Sequence, residues 1–438
     1  MKQSLQNVSL GIQHVLAMYA GAVVVPLIVG SAIGLSGAQL TYLVAIDIFM
    51  CGIATFLQVW KNRFFGLGLP VVLGCTFTAV GPMIAIGNEY GVSSIYGAIL
   101  ISGLIVILIS SVFGKLVKFF PPVVTGSVVT IIGITLIPVA MNNMAGGQGS
   151  PTFGSKENLI LAFGVLFLII LLNRYFTGFI RAISILISII AGTVVAGFMG
   201  MVDLQAVNEA SWFNIGKPFY FGTPTFELAP IITMTIVAVV SMVESTGVYF
   251  ALSDICNKKI DDKDLARGYR AEGLAYMLGA IFNAFPYTTF SQNVGLIQMS
   301  GIKTNRVIYT TAIMLIGLGL VPKIAALATV IPSSVLGGAM VAMFGMVVAY
   351  GIKMLGQVEF ASQENLLIVA CSVGLGLGVT VVPEIFAGLP ESVKILTNSG
   401  IVAGSITAIV LNIVFNVIPS GKKEGSNNIG EMTQQKAL

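Results

Sequence analysis

The chain has 438 residues, of which 56% are hydrophobic and only 9% charged, with a mean hydropathy of +0.96. A water-soluble chain carries about 25% charged residues, so most of this surface must face lipid, which argues against a soluble enzyme and against nucleic acid as a partner. The net charge of +4 means little until its placement is known, and one histidine and four cysteines without metal-ligand spacing leave no zinc site and only reduced packing thiols.

A membrane-crossing helix needs about 20 apolar residues. In chain order the apolar runs lie at 10–30, 39–60, 67–87, 93–114, 123–140, 158–173 and 179–201, then at 229–253, 271–285, 287–300, 307–329, 333–352, 364–382 and 399–418. The first run lacks a small-residue cleavage pattern and is expected to be retained. The runs at 271–285 and 287–300 are short or polar for a span. The expected class is an all-α polytopic membrane protein with fourteen transmembrane segments. With the N-terminus placed in the cytoplasm, eighteen of the 22 Lys and Arg fall inside and four outside, as the positive-inside rule requires. Both termini are then cytoplasmic. The stretch 254–270 reads as a solvated cytoplasmic linker, and 421–438 as a disordered cytoplasmic tail.

The two halves echo each other. Pro121 is followed five residues on by Gly126, and Pro332 in the same way by Gly337; Pro70 opens LPVVLGCTFTAVGPM much as Pro286 opens FPYTTFSQNVGLIQM. Seven spans per repeat is an odd number, so the second copy sits inverted, a mark of secondary transporters. In the third and tenth spans proline removes a backbone donor, and Thr76, Thr78, Thr288, Thr289 and Ser291 put hydroxyls mid-run. These two spans should be part extended and part helical. Free backbone groups at membrane depth are tolerated only against protein or a water-filled cavity, so the two breaks mark the expected substrate site.

Four ionisable side chains lie within spans: His14, Asp47, Glu244 and Glu272. A carboxylate at a helix centre costs roughly 2.5–3.5 kcal/mol on insertion scales. Glu244 is the foremost candidate, because Ser241, Gly247, Val248 and Ala251 give its helical face a small, cavity-like profile. Glu272 reads as a carboxylate at the start of its span, where the helix dipole favours it. Asp47 reads as a hydrogen-bonding group to a neighbouring helix, and His14 as an interior histidine or a coupling residue.

QNVGLIQMSG, beginning at Gln292, resembles the signature of the nucleobase–ascorbate transporter family, with Gln292, Asn293, Gly295 and Gly301 in place and Ser300 standing where threonine is usual. QHVLAMYAG, LPVVLGCTFTAVGPM and VESTG resemble the family as well. The resemblance implies two inverted repeats of seven spans, with short extended segments in spans 3 and 10. It implies a core domain from spans 1–4 (residues 1–120) and 8–11 (229–330), and a gate domain from spans 5–7 (121–228) and 12–14 (331–420). It also implies a substrate site made by Glu244, Gln292, Phe77, Phe290 and Ser291. Glu244, Glu272, His14 and Asn293 fall at positions the family uses for coupling or site geometry; aspartate is commoner there than Glu272.

The expected function is secondary active uptake of a purine base, first xanthine, by proton symport across the cell membrane. Uracil or uric acid carriage is the alternative within the family, and a small-anion transporter on the same fold a distant one. Sodium is the alternative coupling ion. The chain is not expected to be an enzyme or to need a cofactor or metal; a homodimer is implied by resemblance. A flat base would sit against Phe77 and Phe290, donate ring N–H groups to Glu244, and meet both a donor and an acceptor on Gln292.

Overall fold

The computed structural model describes residues 2–116, 120–389 and 399–418. The tail at 421–438 lies outside the described residues. The first half runs α1 (Lys2–Ala32), α2 (Gly37–Val59), β1 (Leu73–Cys75), a 3-10 turn (Phe77–Ala79), α3 (Val80–Glu89), α4 (Val92–Leu116), α5 (Pro122–Met144), α6 (Lys156–Tyr175), α7 (Gly178–Ala182), α8 (Ser184–Phe198) and α9 (Gln205–Glu209). The second runs α10 (Leu228–Cys256), α11 (Asp262–Phe282), β2 (Tyr287–Thr289), α12 (Ser291–Ser300), α13 (Asn305–Gly319), α14 (Pro322–Thr329), α15 (Ser333–Leu355), α16 (Gln363–Val381) and α17 (Gly400–Asn412).

Among the described residues nine helices are long and apolar enough to cross a membrane, and α13 with α14, bent by 79°, makes up to ten. The other expected spans are of a different kind. Two are strand-plus-helix segments, β1–α3 and β2–α12; α8 is short; and α11 carries a charged first turn. The bend in the eleventh span falls just before Pro322, which opens α14 and cannot continue the preceding helix.

One expectation is corrected here. Glu272 does not begin its helix. The stretch read as a solvated linker ends at Asp261, whose side chain accepts from the Asp264 amide while Asp264 reaches back to the Asp261 amide. This reciprocal cap starts α11 at Asp262, so Glu272 lies in mid-helix, where the dipole offers it nothing.

Packing follows the repeat. α2 lies against α13 and α4 against α11, while α5 lies along α15 and is joined by α16 and α17. Close approach of α5 and α15 depends on glycine at the echoing positions. A Cβ on Gly126 would come 2.8 Å from Leu355 Cγ, and one on Gly337 2.1 Å from the Met144 amide. The two glycines thus do the same work at opposite ends of one antiparallel helix pair.

β1 and β2 pair antiparallel, with Leu73 opposite Thr289, Gly74 opposite Thr288 and Cys75 opposite Tyr287. The ladder continues outward, the Thr76 amide donating to Pro286 O at 2.9 Å and the Phe290 amide to Val72 O at 3.0 Å. Each strand therefore meets the backbone groups that proline and threonine withheld from helix, which is how main chain survives at this depth without water. Asp47 of α2 pins the second strand's start: its Oδ1 accepts from the Phe285 amide at 2.8 Å and the Tyr287 hydroxyl at 3.4 Å.

Candidate substrate site

A cavity of about 340 Å3 opens between α5, α10 and α15 where the second strand turns into its half-helix; no residue of the first break is among those lining it. One wall is Val240, Val243, Glu244, Gly247 and Val248 of α10 with Thr289, Ser291 and Gln292 of the second break; the facing wall comes from α5 and α15, including Thr125, Met343, Met346 and Tyr350. Three expected site residues, Glu244, Ser291 and Gln292, share it. Its volume is in the range of small-ligand pockets, about 300–1,000 Å3, which combine apolar walls with a few fixed polar groups. A larger cavity, about 440 Å3, lies between α2, the segment around α9 and Pro322; it holds none of the expected site residues.

The polar wall arises locally from the break. Phe290 precedes α12 with no side-chain cap; the Asn293 amide donates to Phe290 O at 3.2 Å, which leaves those of Ser291 and Gln292, two residues that line the cavity. Ser291 and Gln292, exposed at that turn, project beside them. Glu244 stands one helix away, beside Thr78 of the first break. A carboxylate, an amide and free N–H groups therefore converge on one space: acceptors and donors together, enough to read a planar ring along its edge.

The two aromatic candidates occupy a different layer. Phe77, half-buried, stands edge-on to Phe344 with ring centroids 5.6 Å apart. Phe290 is buried, and a Cβ on Gly74 would fall 2.5 Å from its Cζ and one on Gly21 3.2 Å from its Cε2. Neither ring is among the residues lining the 340 Å3 cavity; Phe290 borders a small adjoining space of about 20 Å3 with Gln292 and Met343.

Asn293 faces away from the cavity. Its Nδ2 meets His14 Nδ1 and the His14 carbonyl, both at 3.0 Å, and both residues are buried. As Asn293 donates, His14 Nδ1 must accept, which places the ring proton on Nε2. The pair fastens α12 to α1, so it holds the geometry of Gln292 without touching the cavity. Glu272 is buried behind the site, accepting from the Tyr249 hydroxyl.

The facing wall escaped the sequence reading. Thr125, Tyr350 and the methionines lie in continuous apolar runs whose periodicity says which helix they belong to and nothing about which face meets the breaks. Only the proximity of α5 and α15 reveals them.

The sequence model of the Permease family (Xan_ur_permease) matches residues 5–385. The chain is 69% identical over 418 residues to the xanthine permease of Bacillus subtilis (strain 168), covering 95% of each protein. It is 64% identical over 412 residues to the uric acid permease PucK of the same organism, covering 94% of this chain and 96% of that one. Among solved structures, the transmembrane domain of a cyanobacterial bicarbonate transporter, BicA, superimposes with a TM-score of 0.65 at 19% identity, covering 87% of this chain and 97% of that one. At that identity the likeness concerns the fold alone, that of a membrane transporter with inverted repeats.

Proposed function

Because the chain belongs to the nucleobase–ascorbate transporter family and is a permease, not an enzyme, we propose that it takes up a purine base, xanthine first, by proton symport across the cytoplasmic membrane. The observation that carries this reading is the convergence of Glu244 and Gln292, with the uncapped start of α12, on one cavity at the second broken span. A xanthine edge alternates ring N–H donors with carbonyl acceptors. Glu244 accepts from an N–H, Gln292 pairs with an O=C–N–H edge, and the α12 amides donate to the remaining carbonyl. An analogue lacking one of these groups leaves a buried partner unsatisfied and is rejected.

Glu244 is the proposed titrating group. Protonation lowers its cost of burial when the base is absent, and base and proton together allow the core to shift against the gate. Spans 1–4 and 8–11 (residues 1–120 and 229–330) act as the core and spans 5–7 and 12–14 (121–228 and 331–420) as the gate, sliding past each other at the cavity. The cavity lining extends to Tyr350 and Met354, beside Lys353 in the last turn of α15, an end that charge placement assigns to the cytoplasm, as it does both termini. Phe77 and Phe290 act from behind the first wall, holding its shape, and reach a base only when the site closes. Assembly as a homodimer, and sodium in place of the proton, are secondary parts of the same reading.

Uric acid is the second substrate reading, supported by 64% identity to a uric acid permease; its pyrimidine edge matches that of xanthine. Uracil would use the same edge. A small anion fits poorly, since no Lys or Arg lines the cavity and Glu244 would repel it. Uptake of radiolabelled xanthine by cells expressing the chain, competed by guanine, hypoxanthine, uric acid and uracil with and without an uncoupler, tests the proposal. Concentrative xanthine uptake that collapses with the uncoupler is the expected result; indifference to both xanthine and uncoupler would refute it.

A further inference from the structure

The connection between the two halves runs from the end of α8 to the start of α10 and crosses, in the proposed division, from gate to core. Its first residues stay with α8. Gly200, at a φ of +74°, turns the chain, and the Met201 amide returns to Ala196 O at 2.9 Å. Met201 and Val202 then pack against the apolar cluster that includes Val165 of α6, Ile189 of α8 and Val335 of α15.

From Gln205 onward the partners change. Lys323 of α14 donates to Val207 O at 2.9 Å and stands over the Trp212 ring, and the Asn214 amide donates to Leu320 O at 3.2 Å. The Tyr42 hydroxyl of α2 lies 2.8 Å from Lys217 O and 3.2 Å from Phe282 O, and its ring stacks on Tyr220 with centroids 3.9 Å apart. The Phe219 amide donates to Ile281 O at 2.8 Å, the Phe221 amide to Asn283 Oδ1 at 3.2 Å and the Thr225 amide to Ser93 O at 3.3 Å. Phe219 holds a φ of +55°, a left-handed conformation that a bulky residue keeps only where its surroundings fix it. Four parts of the core, α2, α4, the end of α11 and the bend between α13 and α14, thus grip one segment along its length. Between these two regimes lie Val202, Asp203 and Leu204, whose amides make no hydrogen bond among the described residues; Asp203 and Leu204 are exposed.

We propose that residues 205–226 form a strap that travels with the core, and that 202–204 is the joint at which core and gate bend past each other on this side of the molecule. Carrying the strap with the gate would break its hydrogen bonds and the Tyr42–Tyr220 stack in every cycle. Bending at 202–204 breaks none, and hinges are a few loop residues that absorb the change in dihedral angle. The strap therefore belongs to the core although the repeat places it before α10. Its far end is held by Ile281, Phe282 and Asn283, the lead-in to β2, so the connection braces the arm that faces the substrate cavity and flexes only beside α8.

This inference rests on the division into core and gate, and the experiment separates the two. Cys371→Ser removes the exposed thiol among the described residues. In that background Gly216→Cys with Ile46→Cys ties the strap to α2: a Cβ on Gly216 would lie 3.4 Å from Ile46 Cγ1, within reach of a disulfide. In proteoliposomes taking up radiolabelled xanthine, closing this bond with an oxidant should leave the rate within about twofold of that of the reduced protein. Asn214→Cys with Leu320→Cys repeats the test if the first pair fails to fold or to close. Loss of uptake on oxidation, regained with reductant, overturns the inference. Distances between spin labels supply the second measurement, with Phe213→Cys paired to Phe64→Cys on the core and, separately, to Tyr175→Cys on the gate, all three sites being exposed. Adding xanthine should leave the first distance unchanged and shift the second. A shift in the first overturns the inference alone; constancy of both overturns core–gate movement and the inference with it.

Discussion

The two broken spans have one backbone plan and two chemistries. In the first, Thr76 caps its own half-helix, its Oγ1 accepting from the Thr78 amide, and Leu73, Gly74 and Cys75 are wholly buried. In the second, the half-helix starts uncapped at Phe290, and Thr289, Ser291 and Gln292 face the cavity. The first arm spends its polar groups on the fold. The second leaves them for a ligand. An inverted repeat supplies two equivalent frames, but only one of them has to read the substrate, so the other is free to become a rigid back wall.

If that division holds, changes in the second arm and its neighbour Glu244 should cost transport, and changes in the first should cost stability. The largest effect belongs to Glu244→Gln. Losing a charged acceptor for a ring N–H is worth about 1.5–3 kcal/mol, so xanthine accumulation should fall to background while the protein remains in the membrane. Concentrative uptake at the parental level in that variant would break the comparison at its centre. Next comes Gly74→Ala, which forces a Cβ to within 2.5 Å of the Phe290 ring. Overpacking of this kind costs about 1–3 kcal/mol and should show as a lower Tm in detergent, with KM little changed in the protein that stays folded.

Gln292→Ala should do the reverse, raising KM about tenfold for the loss of a paired edge and leaving Tm within a degree or so of the parent. A fall in Tm as large as that of Gly74→Ala would place the second arm among the structural elements. The smallest effect is expected for Thr76→Ala, which loses one cap and about 1 kcal/mol. Thermal unfolding should detect it, and competition by uric acid, guanine and uracil should keep the parental order. A changed order would mean that the first arm reads the base after all.

Much of this was legible in the chain. Low charge and the alternation of Lys and Arg across fourteen runs carried the membrane class, because lipid tolerates neither free charge nor unpaired backbone. Proline with threonine in runs three and ten marked the breaks, since those residues withhold what a helix needs. Glu244 and Gln292 stood out as polar groups where polarity is expensive. Other parts were hidden. Phe77 and Phe290 looked like equal stacking partners, yet Phe290 is drawn behind the wall by the space that Gly74 and Gly21 leave for it. Glu272 looked like a helix start until the reciprocal cap at Asp261 moved that start back.

Local composition alone therefore determined the solvent of this protein, the position of its breaks and the identity of its expensive polar groups, because each is a property of a residue and its immediate neighbours. Which of those groups share a cavity was decided only by tertiary packing. The pairing of β1 with β2 brings together residues more than two hundred positions apart. No periodicity within a single helix encodes which face of a distant one will meet it.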